Sequence, residues 1–121
     1  MDNFAPNDES GVDEFCRSAM AMPALAPDEE VLLSRRVEEG DSEARDRLIR
    51  ANLRLVVQAA RRHAADGSMP LRLLQAGTDG LLFAVEAFDP TVGESFAECA
   101  VGWIDRAIQG AVSGDESAAN A

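Results

Sequence analysis

Phe96, Ala100, Trp103, Ile104, Ala107, Ile108, Ala111 and Val112 recur at helical spacing. This places them along one side of an α-helix for several turns. A half-buried strand would show strict alternation, and no segment of the chain does so convincingly. The stripe has a defined start, because Ser95 with Glu98 three residues on forms a capping box. Ser113-Gly114 is its expected end. The constraint is severe, because a helix with such a stripe must bury it against other helices.

The partners are visible upstream. Val12, Phe15, Cys16, Ala19 and Met20 predict a short helix that Pro23 ends. Pro27, followed by Asp28, Glu29 and Glu30, marks a second helix start, and Gly40 its left-handed stop. Asp41 or Ser42 caps a third helix, with Ala44, Leu48, Ala51, Leu55, Ala59 and His63 on one stripe. That helix runs unbroken to about Ala65 or steps near Asn52, and Asp66-Gly67-Ser68 reads as a turn. Pro70 opens a fourth helix carrying Leu71, Leu73, Leu74, Leu81, Leu82, Val85 and Phe88, ended by Asp89-Pro90. Gly77 and Gly80 inside it cost about 1 kcal/mol each relative to Ala. Glycines kept at such a cost usually admit a neighbouring backbone. The expected fold is an all-α, compact bundle of about five helices spanning residues 12–113. Residues 1–11 read as a disordered acidic tail and 114–121 as a polar one.

Enzyme chemistry has no foothold. The single histidine, His63, lies on a helix, no Gly-rich loop follows a strand, and no cluster has metal-ligand spacing. No cofactor is expected. Cys16 and Cys99 read as two reduced thiols. No window is long and apolar enough for a bilayer, and the N-terminus lacks the form of a secretory signal, so the expected setting is cytoplasmic, without membrane contact.

Charge narrows the partners. The net charge is -11, and every basic side chain is arginine. Residues 31–72 hold nine of the arginines, whereas residues 73–121 carry eight acids against Arg106 alone. The last third therefore repels phosphate.

From about Asp13 to Val112 the chain resembles a primary bacterial sigma factor of the sigma-70 family, across region one-point-two and region two. Ala51-Asn52-Leu53-Arg54-Leu55-Val56-Val57 matches the opening of region two. Leu73-Leu74-Gln75, Gly77, Gly80-Leu81, Ala84-Val85 and Phe88-Asp89-Pro90 match the polymerase-binding helix and the turn after it. Phe96, Ala100, Trp103-Ile104 and Ala107-Ile108 match the framework of the promoter-melting helix.

The resemblance implies core RNA polymerase as partner, met through the clamp coiled coil of its largest subunit. It points to Asn52, Arg54, Arg72, Gln75, Thr78 and Leu82 as docking residues. In the family the positions of Arg72, Gln75, Ala76 and Thr78 are an acid, a glutamine, an acid and an asparagine. Only Gln75 is kept, and one acid has become a cation. The promoter-facing segment departs further, because Glu94, Cys99 and Gly102 stand at aromatic positions and Asp105 at an arginine. Phe96, Trp103 and Arg106 are what is left to touch DNA, and the two aromatics also lie on the apolar stripe. Base stacking is worth about 1–3 kcal/mol per base. The expectation is a polymerase-binding regulator of initiation with weak or no melting of its own. The alternatives are a decoy that binds an anti-sigma factor or other regulator, and a minimal or split sigma factor that does bind promoter DNA.

Overall fold

The computed structural model describes residues 4–64 and 69–120, with 114–120 described as backbone only. The turn expected at Asp66-Gly67-Ser68 lies outside the described residues. Among the described residues six α-helices follow in order: α1 (Val12–Ala21), α2 (Pro27–Glu38), α3 (Ser42–Ala51), α4 (Leu53–His63), α5 (Leu71–Ala87) and α6 (Phe96–Asn120). Among the described residues there is no strand, and none of the helices is long and apolar enough to cross a membrane. The fold is all-α, as the periodicity predicts.

The expected third helix is two helices, stepped at Asn52. Its backbone leaves the helical region there (φ -111°, ψ 5°). Its buried side-chain amide donates to Leu48 O at 2.8 Å, four residues back. That bond competes with the helical ladder at the step. Asp41 caps α3, accepting from the N–H groups of Glu43 and Ala44.

Two ends differ from the sequence reading. Residue 4 onward is packed: Phe4 is buried, and a short 3-10 turn, Glu9–Gly11, leads into α1. The acidic composition of this stretch hid its one large apolar anchor. At the other end the backbone of α6 runs past Ser113-Gly114 to Asn120. A glycine costs a helix only about 1 kcal/mol, and the alanines that follow favour continuation.

The core is built around α5 and α6, the most extensively paired helices. Leu73, Leu74, Leu81 and Ala84 of α5 meet Phe96, Ala100, Ile104 and Ile108 of α6, all at 2% exposure or less. Val56, Val57, Ala59 and Ala60 of α4 close the third side. Phe88 stands edge-on to Phe96, with centroids 5.4 Å apart. The close backbone approach expected of the glycines is found at Gly80, whereas Gly77 makes room for side chains of α4 and α6. A Cβ on Gly80 would lie 2.7 Å from Trp103 O and 2.9 Å from Ile104 Cα, so its absence sets the approach of α6. A Cβ on Gly77 would meet Val56 Cγ1 at 2.9 Å.

The N-terminus of α6 is doubly held. Ser95 Oγ accepts from Glu98 N–H and Glu98 Oε1 from Ser95 N–H. Glu30 of α2 reaches across to accept from Phe96 N–H at 2.8 Å. These carboxylates sit where the helix dipole favours negative charge.

Candidate functional site

Helix α5 buries most of its circumference and leaves one narrow face outward. Arg72, Asp79, Phe83 and Glu86 are exposed there, and Gln75, Ala76 and Leu82 are half-buried. Their three- and four-residue spacing keeps them in one strip along the helix. Leu82 and Phe83 line a shallow depression of about 350 Å³ bordered by Arg45, Asp79 and Glu86. Arg45 of α3 reaches Glu86 at 3.6 Å, tying the rim together.

The docking residues named from the sequence do not all arrive at this face. Arg72, Gln75 and Leu82 do. Thr78 is 3% exposed, and its hydroxyl donates to Leu74 O at 2.8 Å. Asn52 is 8% exposed with its amide engaged by Leu48 O. Both satisfy their polar groups on their own helix, which lets a small polar side chain sit in the interior. Arg54 is half-buried, and its guanidinium donates to Met20 O at 3.1 Å, at the end of α1. Its Nε is buried with no hydrogen-bond partner among the described residues.

Sequence reasoning passed over Phe83. It falls outside the apolar stripe of α5, and the structure leaves it 62% exposed. Its ring stacks on Trp103 of α6, with centroids 6.1 Å apart and planes 22° apart. A large apolar residue off the buried stripe was the available signal.

The promoter-facing residues separate in the same way. Phe96 is wholly buried and serves the core. Trp103 is half-buried, and Arg106 places its guanidinium 5.3 Å from the ring centroid. With Phe83 also against it, the indole is already engaged. Asp105, at the position where the resemblance expects arginine, accepts from Arg62 at 2.9 Å and lies 3.5 Å from His63 Nε2. It ties α6 to the end of α4. Glu94, just before α6, and Glu98, in its first turn, are exposed.

Both cysteines are free and half-buried. Burial pushes the Cys16 thiol up, opposed by Arg61. Burial and then the Glu94 carboxylate push Cys99 up. Thiols raised in this way stay protonated at neutral pH and are poor nucleophiles. Among the described residues no group of histidine, cysteine and acidic side chains could hold a metal ion.

No family model matches the chain. Curated proteins resemble it strongly. Over 92 residues it is 46% identical to the RNA polymerase sigma factor SigA of a Bacillus species, a match covering 76% of this chain and 24% of that protein. It is 47% identical over 89 residues to SigA of Listeria monocytogenes, covering 74% and 24% respectively. Against SigA of Clostridium acetobutylicum it is 45% identical over 92 residues, again 76% of this chain and 24% of the relative. The chain thus spans about a quarter of the length of the curated relatives it matches.

Proposed function

We propose that the chain is a sigma-70-type module, as its 45–47% identity to about a quarter of several SigA proteins suggests, and that it docks on RNA polymerase and modulates transcription initiation with weak or no promoter melting of its own. The supporting observation is the contrast between two faces. Helix α5 keeps an outward strip with Gln75, Leu82 and Phe83, whereas α6 turns Phe96 inward and engages Asp105 with Arg62.

The docking strip differs in chemistry from the family's. Arg72 and Ala76 stand where the resemblance places acids, and Asp79 returns one carboxylate to the same strip. Phe83 adds an exposed ring beside Leu82. Apolar anchors at the centre of an interface carry most of its energy, and charges at its rim govern rate and register. The clamp coiled coil of the largest polymerase subunit is the partner this reading assigns to the strip. Neither Thr78 nor Asn52 belongs to it.

Promoter opening needs flipped bases to stack on free aromatic faces within a basic surround. The α6 surface offers Glu94, Glu98 and Asp105 against Arg106, and its half-buried indole already contacts Phe83 and Arg106. A second reading, a piece of a split sigma factor, is favoured by one observation: Trp103 reaches the surface beside a cation. The test is to mix the chain with core RNA polymerase and a fluorescent single strand of minus-ten type. The expected result is a protein complex that leaves the strand free at physiological salt. Retention of the strand, lost on Trp103→Ala, would replace this reading with the second.

A further inference from the structure

The resemblance makes Gln75 the kept polar contact of the docking strip, yet its side-chain amide is occupied. Gln75 Nε2 donates to Pro6 O at 3.1 Å, from the segment that precedes α1. That segment is anchored on both sides of the contact. Upstream, Phe4 is only 8% exposed, and the Arg50 guanidinium lies 5.3 Å from its ring centroid. Downstream, Val12 is buried at the start of α1. Between them, Asp8 accepts from Ser10 N–H at 3.1 Å and from Gly11 N–H through its carbonyl at 3.2 Å, so the chain turns back tightly after crossing α5. Pro6 also presses on this turn, because a Cβ on Gly11 would lie 3.3 Å from Pro6 Cβ.

We propose that residues 4–11 form a strap over the Gln75 end of the α5 strip, which a docking partner must displace; the proposal rests on the docking reading above. Two properties suit it to that role. Its hold on α5 is a side-chain hydrogen bond to a backbone carbonyl, easily exchanged for a partner's acceptor. Its other anchor is one aromatic ring at the edge of the core, and segments held by few apolar contacts open locally at modest cost. A strap of this kind lowers the apparent affinity of the strip by the fraction of time that it is open. If it is open about one-tenth of the time, releasing it tightens binding about tenfold.

The experiment measures the affinity of the full chain for core RNA polymerase, comparing wild type with Phe4→Ser and Gly11→Leu. Phe4→Ser removes the anchor. Gly11→Leu crowds Pro6 without opening a cavity, so it carries the test if the first variant folds poorly by circular dichroism. Hydrogen exchange at the Gly11 N–H, bonded to Asp8 O, is read with and without polymerase. The expected result is binding roughly tenfold tighter for a folded variant, and faster exchange at Gly11 in wild type once polymerase is added. Unchanged or weaker binding, with exchange unaffected by polymerase, overturns the strap and leaves docking standing. Weaker binding would mean that residues 4–11 are part of the docking surface. Absence of binding by wild type and by both variants overturns the docking reading, and the strap with it.

Discussion

Gly80→Ala should lower the melting temperature by roughly 10 °C, and Gly80→Leu should leave no cooperative transition. A Cβ at this position meets the backbone of α6, at Trp103 O and Ile104 Cα, and Ala107 Cβ at 3.0 Å. Backbone atoms cannot rotate away, so α5 and α6 must separate along the most extensive helix pairing among the described residues. Overpacking of this kind costs about 3 kcal/mol. The better helix propensity of alanine returns about 1 kcal/mol. The net of about 2 kcal/mol corresponds to a shift of roughly 10 °C in a domain of this size. Gly102→Ala is the matched control, because nothing lies within 4 Å of its Cβ position in α6. It gains the same propensity with no clash and should raise the melting temperature by a few degrees. Thermal unfolding followed by circular dichroism reads both. A Gly80→Ala protein as stable as wild type would show that α6 does not need the close approach.

Phe83→Asp should weaken binding to core RNA polymerase by about thirtyfold, the equivalent of about 2 kcal/mol for a central interface anchor. The same change should cost little stability by comparison, a fall in melting temperature of about 5 °C. The ring is 62% exposed, and its stacking on Trp103 is worth about 1 kcal/mol. Val92→Asp is the control for a general loss of surface apolarity: Val92 is 70% exposed, in the Pro90–Val92 turn away from the strip. It should bind as wild type does. Equal losses from both variants, or none from Phe83→Asp, would remove the strip from the interface.

These residues also mark how much was legible in the sequence. The two glycines of α5 could be read because their cost to a helix demands a compensating contact, and the compensation at Gly80 is the α6 backbone. The cap at Ser95 is equally readable, since it needs only a local hydrogen bond, and the sequence narrows the α3 cap to Asp41 or Ser42, of which the structure uses Asp41. The sequence leaves the step at Asn52 open, because it depends on whether one amide bonds back to Leu48 or points outward. Thr78 could not be placed from spacing alone. It lies at the border of the buried arc of α5, and its hydroxyl is satisfied by Leu74 O. Phe4 was hidden for the opposite reason. A single ring in an acidic stretch has no period, and only long-range packing against the end of α3 gives it a place. At Asp105 the sequence shows only a lost cation, and the structure adds a link to Arg62 and His63 that spans 43 residues to the arginine.

The central claim is that the α5 strip meets polymerase where a full sigma factor does. Competition tests it most directly: labelled SigA-type factor is bound to core RNA polymerase and this chain is titrated in, with Phe83→Asp in parallel. The account predicts displacement by the wild-type chain, and displacement by Phe83→Asp only at about thirtyfold higher concentration. A ternary complex with both proteins bound, or no effect at any concentration, would contradict it. The second outcome would move the search for a partner to an anti-sigma factor.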